Sequence, residues 1–247
     1  MIFEHYILLL AVGVFSGFIN VVAGGGSILT VPSLIYVGLE ATVANGTNRI
    51  AIFIQSITAV GTLWKEVRDN LNFYIKLSLI TIPGSVGGAI AATKVSNDLL
   101  EIIIGIVMIM IIATILYPVK KLKQVEPNPK ITLNVALVLL IAGVYGGFLQ
   151  IGVGFILMAI FHRLMNYDLV RVNIMKVFVV TFFTLPAIIV FLMQGKIVYL
   201  PGIILAIGNA IGAWASAKIS MKKGEKFIKF FLIVAILMIS MQLLGIF

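Results

Sequence analysis

The chain has 247 residues, of which 61% are hydrophobic and 11% charged, and its mean hydropathy is +1.17. Apolar stretches of about 17–25 residues, long enough to cross a bilayer as helices, cover nearly all of it, which excludes a soluble enzyme and leaves no room for a soluble domain. Cysteine is absent, so disulfides, thiol catalysis and cysteine-based metal sites are excluded. The net charge of +9 indicates basic loops facing anionic lipid rather than nucleic acid.

The first half of the chain predicts one broken helical segment followed by three long helices. An apolar stretch over about 5–22 meets the run Gly24-Gly25-Gly26, and a shorter stretch over 27–38 follows it. Because no basic leader or cleavage site accompanies the first stretch, we expect it to belong to the structure and not to a signal peptide. Long helices are predicted over 44–64, 71–93 and 99–117.

The second half repeats this order after a polar connection. The connection reads KKLKQVEPNPK over 120–130, and it divides the chain into two membrane repeats, 1–118 and 131–247, joined by a basic linker, 119–130. Apolar segments are predicted over 131–150, 155–165, 170–193, 198–217 and 226–246, with a break at Gly152–Gly154. Glycines in these breaks expose backbone groups, and in lipid such breaks persist only where protein or an aqueous cavity covers them.

The two halves are related by an internal duplication. At an offset of 130, Gly13, Gly17 and Asn20 fall on Gly143, Gly147 and Gln150; at 128, Gly24, Gly26, Asn45 and Asn48 fall on Gly152, Gly154, Asn173 and Lys176. At 124, Gly84 and Gly88 fall on Gly208 and Gly212. Duplicated membrane proteins with paired glycine-interrupted segments are typically transporters, whose binding site lies at the interruptions.

The distribution of lysine and arginine predicts the topology. If each broken segment is a hairpin that returns to its own side, one side of the membrane holds only Arg49, Lys94 and Lys196, and the other holds the remaining 15 of the 18 basic residues. If each broken segment crosses once, the basic residues divide almost evenly. Because a strong bias marks the cytoplasmic side, we expect two inverted repeats, both termini outside and a cytoplasmic linker. Two short full crossings in place of each hairpin would give the same count of basic residues on each side, so that alternative is left open.

The sequence therefore predicts an all-α integral membrane protein of two inverted repeats, each a glycine-broken helical hairpin plus three transmembrane helices. Inverted repeats bring the two breaks face to face near the midplane. Backbone N–H groups at such breaks, together with helix N-termini, favour anions. The predicted substrate-binding residues are Gly24, Gly25, Gly26, Ser27, Asn45, Thr47, Asn48, Arg49, Gly152, Gly154, Asn173 and Lys176.

These motifs resemble a known family of transporters. Gly24-Gly25-Gly26-Ser27 with the segment ANGTNR at 44–49 is similar to the first repeat of the TauE/SafE sulfite and organosulfur exporter family, and Gly152-Val153-Gly154 with VNIMK at 172–176 is similar to its second. The second repeat departs from the family pattern Ala-Asn-Ala-Thr-Lys, and so lacks a hydroxyl. The resemblance implies a secondary transporter, expected to be an exporter, of small anions such as sulfite or organosulfonates.

Each feature also has a structural explanation. The four Gly-x-x-x-Gly pairs favour close helix packing over ligand contact, and Arg49 and Lys176 could extend to an interface instead of a site. Glu40 and Asp168 precede helix starts, which favours helix capping. The alternative functions are a membrane scaffold without transport and an intramembrane hydrolase. The hydrolase is the weaker alternative, because a Ser–His pair would have to lie inside the bilayer, whereas the two histidines, His5 and His162, both lie near segment ends.

The expected partners are a small anionic substrate and the lipid bilayer. Whether the chain forms a homodimer is left open. No cofactor, no metal and no nucleic acid is expected. Because no Gly-Lys-Ser/Thr follows the glycine run, ATP use through a P-loop is not indicated. Transport would then be coupled to an ion gradient or to the substrate's own gradient.

Overall fold

The computed structural model describes residues 3–116 and 129–243, and within helices it describes side chains only up to 110 and 222 in the two ranges. The described chain is helical throughout, without strands. The helices are α1 Phe3–Val22, α2 Ser27–Tyr36, α3 Ala41–Thr62, α4 Trp64–Arg68, α5 Leu71–Lys94, α6 Asn97–Leu116, α7 Leu133–Phe148, α8 Val153–Ala159, α9 Leu169–Met193 and α10 Tyr199–Leu243. A π-helical turn, Ile160–Leu164, continues α8.

These elements confirm the predicted all-α membrane fold. Four helices among the described residues are long and apolar enough to cross a bilayer: Phe3–Val22, Leu71–Lys94, Leu169–Met193 and the segment Tyr199–Lys222. The α3 helix has 22 residues, about 33 Å at 1.5 Å per residue. Its polar residues face the interior, where Asn45, Asn48 and Arg49 are completely buried.

One predicted helix boundary is wrong. Separate helices were expected over 198–217 and 226–246, whereas α10 runs without a break from Tyr199 to Leu243. The connecting residues 218–225 contain lysine and glutamate, both good helix formers, and no proline, although they include Gly224, a poor helix former. Polarity therefore indicated a turn at a place where the chain stays helical, in spite of Gly224. The linker 119–130 lies almost wholly outside the described residues.

Both broken segments turn at a repeat-related glycine. Gly24 has φ +91° and Gly152 has φ +71°, a left-handed conformation that glycine adopts without steric cost. After the first turn, α2 runs back along α1: the Ser16 hydroxyl donates to the Gly26 carbonyl at 2.8 Å, and the rings of His5 and Tyr36 lie 6.4 Å apart. The start of α1 and the end of α2 are therefore neighbours, as in a hairpin.

The glycine pairs are sites of close helix packing, as predicted. Helix α1 packs against α10, and α5 packs against α7, so each broken segment is held by a helix of the opposite half. A β-carbon at Gly13 would lie 2.7 Å from the Leu205 carbonyl oxygen, and β-carbons at Gly17, Gly84, Gly88, Gly143, Gly147, Gly208 and Gly212 would likewise meet backbone of the partner helix. Small residues allow two helices to approach this closely.

Helices α3 and α9 lie at the centre and run in opposite directions. Near the start of α3, Gly46 faces Phe191 and Lys196 at the end of α9. Beyond the other end of α3, Leu63 lines a small cavity together with Val170 from the start of α9. The two helices therefore form an antiparallel pair in the middle of the molecule.

Valine at Gly88 is expected to lower stability far more than valine at Gly87. The two positions are adjacent in α5, but a β-carbon at Gly88 would press on the Val144 carbonyl, whereas at Gly87 it would meet nothing within 4 Å. Overpacking of this kind costs about 1–3 kcal/mol. Thermal unfolding of the two purified variants in detergent measures the difference. Equal midpoints for the two variants would show that α5 and α7 are not in contact at this glycine.

Candidate functional site

The two glycine breaks touch each other. A β-carbon built at Gly24 would lie 2.6 Å from the carbonyl carbon of Gly154, and Gly154 in turn has no room for a β-carbon beside the backbone of Gly24. Because both contacts are with backbone, neither residue can be enlarged without moving a helix end. The structure thus brings together two of the predicted site residues that are 130 positions apart in the chain.

The other glycines of the first break are also tightly enclosed. A β-carbon at Gly25 would lie 2.5 Å from the Phe155 ring, and the N–H of Gly26 donates to the Asn20 side-chain oxygen at 3.3 Å. Two of the backbone donors expected to hold an anion are therefore occupied, since the Gly24 N–H likewise donates to the Ile19 carbonyl at 3.2 Å. In the second break, Gly152 caps the start of α8 in its left-handed conformation.

A small cavity lies beside the touching breaks. It is lined by Asn20, Ser27, Ile52, Gln55, Ser56, Gln150, Val153, Gly154, Lys176, Val177 and Val180. Both hairpins and both central helices contribute to this lining. The cavity has room for about one water molecule. Of the predicted residues, Ser27, Gly154 and Lys176 meet here.

Lys176 reaches across to the end of the first broken helix. Its ammonium group donates to the carbonyl oxygens of Asn20 at 3.0 Å and Val21 at 2.6 Å, and to the side-chain oxygen of Asn173 at 2.7 Å. The residue is 2% exposed. The last carbonyls of a helix have no partner within it, so Lys176 caps α1 from the opposite half of the chain.

Arg49 makes the equivalent contact in the other direction. Its guanidinium donates to the carbonyl oxygens of Gly146 at 3.0 Å and Gly147 at 2.5 Å, at the end of α7, and lies 4.5 Å from the centre of the Phe191 ring. The neighbouring Asn45 donates to the Phe148 carbonyl at 2.8 Å. Arg49 and Asn45 thus form a second group, which caps α7.

Both cations are balanced only by neutral oxygens. In the part of the chain that the structure describes, neither Arg49 nor Lys176 pairs with a carboxylate. Each lies at a helix C-terminus, which carries about half a negative charge. A full positive charge buried without a counter-ion is costly, so this interior has an excess of positive charge that an anion can neutralise.

The remaining predicted residues of α3 have different surroundings. The Thr47 hydroxyl accepts a hydrogen bond from the Val198 N–H at 3.0 Å, at the start of α10. Asn48, the repeat partner of Lys176, is completely buried, and both polar atoms of its side chain find no partner among the described residues. Neither residue lines the cavity at the breaks.

Glu40 and Asp168 lie just before helix starts, as predicted, but only Asp168 makes a capping hydrogen bond. The Asp168 carboxylate accepts from the N–H groups of Val170 and Arg171, each at 3.0 Å, and caps α9. Glu40 occupies the same position before α3, yet its carboxylate accepts from the Asn97 amide at 2.8 Å instead.

Four polar residues of the cavity were missed from the sequence: Asn20, Gln55, Ser56 and Gln150. Two signals were available. Asn20 and Gln150 fall on each other in the repeat alignment. Gln55 and Ser56 follow Asn48 and Arg49 by seven residues, two helical turns, which places them on the same face of α3. A polar residue on the polar face of an otherwise apolar helix is a candidate for the site.

Comparisons with known proteins identify the family of this chain. The model of the family described as "Sulfite exporter TauE/SafE" matches residues 9–243. The chain is similar to "Probable membrane transporter protein ORF9" of Sinorhizobium sp, with 28% identity over 246 residues that cover 98% of this chain and 93% of the relative. It is similar to "Probable membrane transporter protein YfcA" of Escherichia coli K12, with 25% identity, 96% of this chain and 88% of the relative covered. No solved structure matches the chain.

These names describe membrane transporters and not enzymes or scaffolds. The family match spans both halves, both breaks and both central helices. The chain therefore belongs to the sulfite exporter TauE/SafE family of membrane transporters.

Proposed function

We propose that this transporter is a secondary exporter of small anions, such as sulfite and organosulfonates, across the cytoplasmic membrane. The observation that carries the proposal is Lys176: a buried ammonium that lines the cavity at the two breaks and has only neutral oxygen partners there. Ionisable groups inside a membrane protein typically mark a substrate or ion pathway. An anion entering the cavity would supply the missing negative charge.

Alternating access between the two halves would move the anion. The antiparallel pair α3 and α9, the crossed packing of α1 with α10 and of α7 with α5, and the contact between Gly24 and Gly154 support two inverted repeats that meet at this site. The cavity has room for about one water molecule, which is too small for sulfite or a sulfonate. This form of the protein is therefore a closed one. Opening toward either side would require the hairpins to separate.

The substrate class follows from the charge of the site and from the family. The excess charge is positive, and the cavity's polar groups are neutral amides and hydroxyls. The family is named for sulfite export. We therefore expect purified protein in liposomes to release preloaded sulfite or ethanesulfonate in a saturable manner, and to leave a neutral sugar inside. Release no faster than from protein-free liposomes would contradict the proposal.

The orientation in the membrane is the second testable part. We expect a cysteine at Lys123, in the linker, to be protected from an impermeant thiol reagent in intact cells, and a cysteine at Gln194, beside Lys196, to react. The natural chain has no cysteine, so each variant carries a single label site. Permeabilised cells serve as the control, because both sites should then react. Labelling of both positions from the outside would contradict the proposed inverted topology.

A further inference from the structure

The cavity at the breaks contains two polar atoms without a partner. The Ser56 hydroxyl and the Gln150 side-chain oxygen make no hydrogen bond within the described part of the chain. Both residues are 1% exposed, and both line the cavity. Buried polar atoms are nearly always hydrogen-bonded, and an unpaired one lowers stability. In this closed form the cavity beside them has room for about one water molecule, so a larger ligand would pair with these two groups only once the hairpins separate.

Ser56 differs from most hydroxyl residues of the long helices, although Ser216 of α10 likewise has no side-chain partner among the described residues. Ser78, Thr58 and Thr181 each donate to the carbonyl four residues earlier, at 2.8 Å in every case. This is the usual partner of a serine or threonine within a helix. Ser56 makes no such bond. Its hydroxyl therefore remains available to donate to a group in the cavity.

In the orientation that the structure gives the Gln150 amide, the oxygen has no partner. The side-chain N–H donates to the Thr184 hydroxyl at 2.7 Å, which leaves the amide oxygen as the unpaired atom. The backbone of Gln150 has φ +63°, and its N–H donates to the Tyr145 carbonyl at 3.3 Å, the left-handed turn that commonly ends a helix, here α7. The end of α7 thus places the Gln150 side chain beside the cavity.

The charge of the site comes from a different group. The three N–H bonds of the Lys176 ammonium are already matched by three protein oxygens. Direct hydrogen bonds to a ligand are therefore left to Ser56 and Gln150, while Lys176 contributes its positive charge. A single positive charge suits a monoanion. The lone pairs of the Gln150 oxygen repel an anionic oxygen but attract an O–H or N–H group.

We infer that the site selects monoanionic oxyanions that carry their own hydrogen-bond donor, with Ser56 donating to the anionic group and Gln150 accepting from the ligand's O–H or N–H. This inference rests on the proposed function and narrows its substrate class. It favours hydroxyl-bearing sulfonates over alkyl sulfonates of the same size, and protonated sulfite over the dianion. A site built to pair with a hydroxyl rejects an analogue that lacks it, because its own polar group is then left unpaired.

A matched pair of ligands tests the inference. 2-Hydroxyethanesulfonate and 1-propanesulfonate have the same charge and the same number of non-hydrogen atoms, and differ by a hydroxyl in place of a methyl. We expect the full-length purified protein to bind the hydroxy compound at least about tenfold more tightly. Equal binding of the two by the wild type would overturn the inference. If neither compound nor sulfite binds, the proposed function itself fails and the inference with it.

Two variants separate the roles of the two residues. Gln150→Met keeps the size of the side chain and removes its acceptor, so the two sulfonates should bind equally. Ser56→Ala should weaken both by a similar factor and keep their ratio, without loss of thermal stability, because it removes an unpaired hydroxyl. Ser78→Ala is the control, since its buried hydroxyl is already bonded to Tyr74. A Gln150→Met protein that folds and still prefers the hydroxy compound would contradict the assignment.

Discussion

Alanine in place of Lys176 is expected to weaken anion binding at least about tenfold, more than any other single change of a lysine or arginine. Lys176 is the cation that lines the cavity at the breaks. Two unit charges 4 Å apart interact by about 4 kcal/mol at an effective dielectric constant near 20. Its repeat partner, Asn48, is neutral, so the site is asymmetric and this ammonium supplies its formal charge.

The same substitution also removes a helix cap. Without the ammonium, the carbonyls of Asn20 and Val21 lose their partner, so the variant is expected to be less stable as well. Lys176→Arg keeps the charge but changes the geometry, and we expect it to be partly active. Comparing it with the alanine variant distinguishes the loss of charge from the loss of packing.

Binding of sulfite and sulfonates to the purified proteins measures this effect, together with the midpoint of thermal unfolding. Lys65→Ala is the control, because Lys65 is exposed at the surface and surface charges are screened by salt within about 8 Å. If wild type, Lys176→Ala and Lys65→Ala bind with equal affinity, Lys176 acts only as a cap for α1, and the anion is held elsewhere.

Alanine at Gly24 is expected to abolish transport. Its β-carbon would lie 2.6 Å from the backbone of Gly154, and because neither helix end can relax by rotating a side chain, the two breaks must move apart. The positive φ of Gly24 adds strain of about 1–2 kcal/mol for any residue with a β-carbon. Displacing the breaks changes the wall of the cavity on which the transported anion depends.

Gly38→Ala is a matched control for this prediction. Gly38 also has a positive φ, +99°, but a β-carbon there would meet nothing within 4 Å. Both substitutions therefore add backbone strain, and only the one at Gly24 disturbs the contact between the breaks. Sulfite release from liposomes should be lost with Gly24→Ala and largely retained with Gly38→Ala. Equal transport by the two variants would show that the contact between the breaks is dispensable.

The positions of the cations explain how the two halves are joined. Lys176, from the second half, caps the broken helix of the first, and Arg49, from the first half, caps the broken helix of the second. In lipid, the free carbonyls at these ends would otherwise lack partners. Each break therefore depends on the opposite half, and the two halves of the described chain share one interior, since a single hydrophobic core contains residues of both.

The sequence by itself determined the local features of this protein. Runs of apolar residues specify where helices lie, because burial in lipid requires each span to satisfy its own backbone. The glycines at 24 and 152 specify where the broken helices turn, because other residues resist a positive φ. The spacing of Gly13 with Gly17, and of its three counterparts, indicated close packing correctly, since only small residues permit it.

Only the tertiary structure decided which groups meet. That Lys176 bonds to Val21, 155 residues earlier, depends on the path of the whole chain and leaves no trace in local composition. The same holds for Ser56 and Gln150, whose unpaired atoms become significant only because both residues line one cavity. Helix α10 shows the converse limit: residues 218–225 resemble a loop in polarity, yet they continue one helix, whose hydrogen bonds satisfy their backbone.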